Sequence, residues 1–373
     1  MLFRSGPYLP ARAAFGRFIG FEVGWMMWFT RVTSQASVAN GLALALAFYW
    51  PSLANGVPRM SLIAALTMAL TWINVRGIKQ SSWVVNALTI GKLVPLAIFI
   101  LVGVWYIDPA RLMSLPPVGR ENAAAAAILL VFAYGGYEVT GVLAGEAANP
   151  RRDVPFAFVA TLITVAIVMS VTSVVATGVL PDLAATKTPL ADGAAIFLGA
   201  IGALKISAGS ALSMTGNNMG QILNGSRTLF ALAENGDLPR WFARVHPRYQ
   251  TPSNAVLFTA VAALTLALTG SFVTLAAVSA IARLVMYLAV CASTLVLRGR
   301  TPAGDVGPAT FTVPLGPVIP VLASIVALGI LYGATPVQRN AGLYALAAGA
   351  VLFLIARNAD AGRRAGGAAT TQP

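Results

Sequence analysis

Cysteine and histidine are nearly missing from this sequence of 373 residues, which has one of each, Cys291 and His246. That excludes a disulfide framework, a cysteine-based zinc or iron–sulfur site and a multi-histidine metal site. GxSxG, P-loop and GxGxxG motifs are absent as well. No nucleophile–base pair stands out, so the sequence indicates neither an enzyme nor a cofactor. Charge is also scarce. Asp, Glu, Lys and Arg make up 10% of the chain, against about 25% in an ordinary soluble domain. So few charges cannot cover the surface of the two or three soluble domains that the length would allow. Hydrophobic residues fill 57% of the chain, with a mean hydropathy of +0.77. The composition indicates an all-α polytopic membrane bundle over residues 1–357. A Gly-, Ala-, Thr- and Arg-rich tail, 358–373, reads as disordered.

About 20 apolar residues make a helix that crosses a hydrocarbon core of about 30 Å. Ten stretches qualify: 18–48, 60–77, 83–106, 123–145, 156–179, 206–233, 255–270, 273–297, 314–334 and 340–357. A shorter apolar stretch, 193–203, reads as a partly embedded loop helix. With the N-terminus in the cytoplasm, fifteen Lys and Arg residues fall on the inner side, six fall outside and four lie within spans. This bias places both termini in the cytoplasm. It also accounts for the net charge of +13 without a nucleic-acid partner.

Span 123–145 carries the richest motif, Phe132-Ala133-Tyr134-Gly135-Gly136-Tyr137-Glu138. A mid-span glycine pair weakens a helix, and freed backbone groups are tolerated in a membrane only against protein or a cavity. Discontinuous helices of this kind place half-helix ends at a midplane substrate site. Glu138 follows at once, and a carboxylate at that depth is costly unless paired or functional. Close packing at glycine with a structural ion pair is the competing reading. Lys92 lies nine residues into its span, roughly 13 Å deep at 1.5 Å per residue. At that depth it must pair, lose its proton or alternate between the two. That makes it a candidate for coupling or gating, against a fixed salt bridge.

Other signals carry less chemistry. Glu146 to Pro155 reads as an arginine-bearing cytoplasmic loop opened by Asn149-Pro150. Arg227 is positioned to pair with Glu234. Gly16, Gly20 and Gly24 recur every four residues, which suits close backbone approach. Asn217, Asn218, Gln221 and Asn224 either line a polar path or bond neighbouring helices. Arg31 and Arg283 are intramembrane charges with no evident role, and the partner of Glu138 stays open between Lys92, Arg283 and none.

Taken in order, these residues resemble bacterial permeases of the amino acid–polyamine–organocation superfamily. Gly6-Pro7-Tyr8 with Phe15-Gly16 and Gly24-Trp25 is similar to the entry to that family's third helix. Asn74-x-Arg76-Gly77 resembles the link between its fourth and fifth helices, and Lys92-Leu93-Val94-Pro95 its fifth helix. Phe132 to Glu138, then Glu146-x-x-Asn149-Pro150-x-Arg152, resembles its broken sixth helix and the loop that follows. Ser226-Arg227 through Leu238-Pro239, His246-Pro247-Arg248 and Thr251-Pro252 resemble its eighth helix and loop.

The resemblance implies a LeuT-type inverted-repeat transporter core with about ten membrane helices present. The substrate site would be formed at Phe132, Ala133, Tyr134, Gly135, Gly136 and Glu138. A lysine at position 92, where sodium-coupled relatives bind their ion, implies sodium-independent transport by proton coupling or exchange. The implied partners are an amino acid or related amine, the lipid bilayer of a bacterial inner membrane, and protons. The first two family helices have no counterpart in this sequence. The expectation from that gap is a mis-started or fragmentary chain, with a non-transporting membrane fragment or scaffold as the alternative function.

Overall fold

A computed structural model describes residues 6–77, 82–114, 118–138, 149–298 and 315–369; within these, the side chains of 82–89, 92, 150, 151 and 358–369 are not described. The described residues form α-helices, short 3-10 turns and connecting loops, with no strand among them. In chain order the helices are α1 (Tyr8–Phe15), α2 (Arg17–Ala47), α3 (Gly56–Arg76), α4 (Ser82–Gly103), α5 (Pro109–Met113) and α6 (Arg120–Ala133). They continue with α7 (Pro150–Val179), α8 (Pro189–Glu234), α9 (Ser253–Thr269), α10 (Phe272–Arg298), α11 (Val318–Tyr332) and α12 (Pro336–Ala369).

Each of the ten apolar stretches meets a helix. Among the described residues, five segments are long and apolar enough to cross a membrane: Gly56–Arg76, Arg152–Val179, Pro189–Glu234, Phe272–Arg298 and Pro336–Arg357. Shorter apolar helices include Ser253–Thr269 and Val318–Tyr332. The stretch 193–203 contains a break: at Gly199 (φ 66°, ψ −168°) the backbone leaves helical space, so a short helix before it precedes the long run of α8.

Helix α2 is the axis of the bundle. It packs against α8 and α10 along most of its length and also touches α1, α9 and α12. Most of its residues are buried, polar ones included. The glycine repeat explains how neighbours come so close. Gly16 (φ 87°) reverses the chain between α1 and α2. A β-carbon on Gly20 would then meet Cβ of Arg12 at 2.5 Å, and one on Gly24 would meet Leu232 of α8 at 2.7 Å. A core of Phe21, Trp25, Trp28, Leu229, Leu232 and Phe353 fills the junction of α2, α8 and α12.

Two polar clamps hold one end of the bundle. Helix α8 ends in a Schellman turn, with Gly236 N–H donating to Ala233 O and Asp237 N–H to Leu232 O. The turn presents Asp237, fully buried, to α1 and α2. Tyr8 Oη donates to Asp237 Oδ2 at 2.5 Å, Arg12 approaches the same oxygen at 3.3 Å, and Arg17 Nε donates to Oδ1 at 2.5 Å. The expected Arg227–Glu234 pair does not form among the described residues. Arg227 is exposed, and the acid that this turn delivers to arginines is Asp237.

The second clamp joins two of the sequence motifs. Thr251 Oγ1 donates to Val75 O at 2.6 Å, and Gly77 (φ 66°) lets the end of α3 sit against Thr251 and Tyr249. The His246–Pro252 loop therefore caps α3. A third set of bonds lies between the Arg59 side chain, Asn40 and the last carbonyls of α9. Arg59 Nε donates to Asn40 Oδ1 at 2.9 Å and Nη2 to Gly270 O at 2.9 Å.

Candidate functional site

Helix α6 stops at Ala133. Tyr134 N–H still donates to Leu130 O, Gly135 N–H turns to Phe132 O, and Gly136 (φ 116°) leaves helical space altogether. Only glycine adopts that last conformation without strain. The break expected at the glycine pair is therefore present. Residues 139–148 lie outside the described residues, as do most of the Glu146–Pro155 motif's loop residues. At its far end, Asp153 Oδ2 accepts from Asn149 N–H at 3.0 Å and caps the start of α7.

The break is held from both directions by charge. The Glu138 carboxylate turns back so that Oε2 accepts from Gly136 N–H at 2.6 Å. Arg283 of α10 reaches across, and its Nη1 donates to Val131 O (3.0 Å) and Phe132 O (3.2 Å), two carbonyls in the last turn of α6. Arg283 Nε stands 2.8 Å from Glu138 Oε1, with the two side chains 2% and 5% exposed. That approach is an ion pair in which the N–H is not aligned on the oxygen. Tyr287, one turn further along α10, donates its hydroxyl to Glu138 Oε1 at 3.0 Å. The partner of Glu138, open between Lys92, Arg283 and none, is Arg283.

Gly135 is the residue against which Arg283 lies. A β-carbon there would overlap the guanidinium. Phe132 turns edge-on to Phe272 of α10, with ring centroids 6.2 Å apart. Ala133 and Tyr134 close the helix. Of the six residues expected at the break, Gly135, Gly136 and Glu138 thus form one polar knot with Arg283, and the backbone carbonyl of Phe132 joins it.

More unsatisfied polarity lies alongside. Arg31 of α2, 2% exposed, is within electrostatic range of Glu138, Arg283 and Tyr287, and its Nε has no hydrogen-bond partner among the described residues. Gln35 Oε1, one turn further along α2, is equally unpartnered, as are both amide atoms of Asn218 on α8. Gly225, two turns beyond Asn218, lets α8 approach Arg31 Cβ. Ser34 and Ser279 bond each other at 2.8 Å between α2 and α10. Buried polar groups are normally paired, so this set is suited to meeting a polar ligand or water.

Lys92 sits on α4, where that helix runs against α8. A β-carbon on Gly209 would meet Cγ of Pro95 at 2.7 Å, and one on Gly91 would meet Leu212 at 3.3 Å. The Lys92 side chain lies outside the described residues. Sequence reasoning singled out Glu138 and the glycine pair and left Arg31 and Arg283 unexplained. It missed Tyr287 and Gln35. The signal for both was their spacing: each follows an intramembrane arginine by four residues and so shares its helix face.

Known proteins carry the same pattern of sequence. A family profile described as "Amino acid permease" matches residues 2–356. A methylthioribose transporter of Bacillus subtilis is 25% identical over 358 residues, covering 91% of this chain and 76% of that protein. A serine/threonine exchanger of the same organism is 29% identical, covering 86% of this chain and 73% of the exchanger. A branched-chain amino acid permease, again of Bacillus subtilis, is 29% identical over 83% of this chain and 66% of the permease. A broken helix stitched by a buried ion pair, in a bundle of apolar helices whose sequence matches the profile over nearly its whole length, makes this chain a member of the amino acid permease family and a multi-pass membrane transporter.

Proposed function

We propose that this permease moves an amino acid or a related amine across a bacterial cytoplasmic membrane by alternating access, independently of sodium, with both termini in the cytoplasm. The supporting observation is the interruption at Tyr134–Glu138. It turns helix-end carbonyls and an N–H group inside the bundle toward charged side chains, Arg283 and Glu138, with Arg31 of α2 in electrostatic range. Half-helix ends of this kind offer both donors and acceptors to a zwitterion. Phe132, Ala133, Tyr134, Gly135, Gly136 and Glu138 are the proposed substrate contacts. The names of the relatives, a serine/threonine exchanger, a branched-chain permease and a probable polyamine transporter among them, cover amino acids and related amines alike.

Lys92 is the proposed coupling residue. A lysine held deep in a membrane helix can pass between charged and neutral forms, which ties its state to protons. Uptake of labelled amino acids into proteoliposomes tests the proposal, with and without sodium, under an imposed proton gradient, and after preloading with unlabelled substrate. Uptake that ignores sodium and rises with the proton gradient or with preloading is the expected result. Lys92→Ala should abolish the response to the proton gradient, and wild-type, gradient-driven uptake by that variant refutes the coupling role. No uptake of any amino acid or amine by correctly inserted protein returns the reading to a non-transporting fragment.

A further inference from the structure

The loop that follows α8 runs from the Asp237 clamp to the end of α3. There Thr251 Oγ1 bonds Val75 O, and a β-carbon on Gly77 would lie 3.2 Å from Tyr249 O. Arg76 and Arg248 each stand one residue before these contacts, on two segments that touch. The loop is fixed by its own bonds. His246 N–H donates to Thr251 O at 2.8 Å and Gln250 N–H to His246 O at 2.9 Å. His246 Nδ1 accepts from Arg248 N–H at 3.2 Å and from Tyr249 N–H at 3.3 Å.

Both arginines are exposed, and neither has an acid partner among the described residues. The Arg76 guanidinium stacks on Trp72, 4.0 Å from the ring centre, and that of Arg248 lies 5.7 Å from the ring centre of Tyr249. Stacking holds a guanidinium by its face and leaves the N–H groups at its edge free for an oxyanion. Arg240 and Arg244 add two exposed charges on the same loop, and 240–252 contains no acid. Asp237 is taken up by Arg12 and Arg17, and Glu234, exposed at the end of α8, pairs with none of these four among the described residues. Apolar side chains are exposed along the same two segments: Trp72, Trp241 and Val245 are 54%, 46% and 44% exposed. A soluble anion has no use for them. A phospholipid uses both, because its phosphate suits a guanidinium fork while tryptophan settles at the headgroup level.

We propose that Arg76 and Arg248 bind the phosphate group of an anionic phospholipid in the cytoplasmic leaflet, with Trp72 and Tyr249 holding the two guanidinium groups. The leaflet named here rests on the reading that both termini, and so this end of the bundle, face the cytoplasm, where anionic lipid attracts such clusters. The binding needs no assumption about what the permease transports.

Native mass spectrometry of the full-length protein in detergent micelles tests it, by titration with phosphatidylglycerol or with phosphatidylcholine of the same acyl chains. Micelles have no sidedness, so a loop that faced outward would leave this result as it is, and topology labelling in whole cells would report that failure separately. Phosphatidylglycerol should bind in preference to phosphatidylcholine. Arg76→Gln and Arg248→Gln should each weaken its binding about fivefold, the contribution of one arginine at a charged surface, and leave phosphatidylcholine unchanged. Arg339→Gln, at an exposed arginine of α12, should match the wild type. Wild-type binding of phosphatidylglycerol by the Arg76→Gln, Arg248→Gln double variant, or an equal loss in Arg339→Gln, overturns the proposal. A competition that needs no variant adds inorganic phosphate at millimolar concentration. Retention of the lipid supports the site, and its displacement would make this a free-anion site and overturn the proposal.

Discussion

A β-carbon on residue 135 would stand inside the guanidinium of Arg283. The glycine at the break of α6 is therefore required by a side chain from another helix as well as by its own backbone. Arg283 uses that space to reach the carbonyls of Val131 and Phe132 while pairing with Glu138. Gly135→Ala, the smallest change available, should push the guanidinium off the carbonyls. Its effect on thermal stability should approach that of breaking a buried pair, about 3–5 kcal/mol. Uptake in proteoliposomes should fall with it. Unchanged melting and uptake in Gly135→Ala would show that Arg283 does not occupy that position in the working protein.

The ion pair itself separates stability from transport. Glu138→Gln keeps the shape of the side chain but strands the Arg283 charge among buried groups, at a cost of about 3–5 kcal/mol. Replacing both, Glu138→Gln with Arg283→Met, removes the stranded charge and should recover much of the melting temperature. Uptake should stay lost in the double variant, because the charged ligand field at the helix break is gone. Recovery of uptake together with stability would make the pair a structural strut and nothing more.

Arg59 offers the contrasting case, a polar cluster with no hydrogen bond to the Glu138–Arg283 pair among the described residues. Its guanidinium bonds Asn40 and the carbonyls of Ala267 and Gly270, the last acceptors of α9. Arg59→Gln should lower stability by about 1.5–3 kcal/mol, the range for hydrogen bonds to a charged group. The substrate concentration for half-maximal uptake should not move. A changed substrate affinity would connect this end of the bundle to the transport site.

The helices were legible because lipid imposes a simple rule on them: long apolar runs bounded by Pro, Gly, Asn and charge. The break at Gly135-Gly136 was legible for the same reason, since two glycines and an acid in one span conflict with a continuous helix. Which cation meets Glu138 was not. Arg283 lies 145 positions along the chain, and no local spacing links two helices so far apart in sequence. Arg227 shows the opposite error. Its seven-residue distance from Glu234 suggests a pair along one helix, but the Schellman turn at Gly236 delivers Asp237 to Tyr8, Arg12 and Arg17 of α1 and α2. Glu22 was passed over because it lies near the start of its span, where an acid is expected to reach the surface. Its burial depends on α12, more than 300 residues away.

The Tyr8–Asp237 bond gives a test that depends on pH. Tyr8 lies on α1, outside the membrane spans, and its hydroxyl donates to a fully buried carboxylate. Burial, then the hydrogen bond to Asp237 and its negative charge, push the tyrosine well above its usual value near 10. A group whose folded-state value is raised adds stability that is complete below the unfolded value and is lost as pH climbs past it. The clamp should therefore hold unchanged from neutral pH to about pH 9.5 and weaken above about pH 10. Tyr8→Phe has no proton to lose and leaves Asp237 with Arg12 and Arg17. The variant should be less stable than wild type at pH 8, by about 1.5–3 kcal/mol for a bond to a charged acceptor. The difference between the two proteins should shrink as pH rises toward 11, when both are melted in the same detergent. A gap that stays constant to pH 11 would mean that the hydroxyl proton does not carry the stability of this clamp.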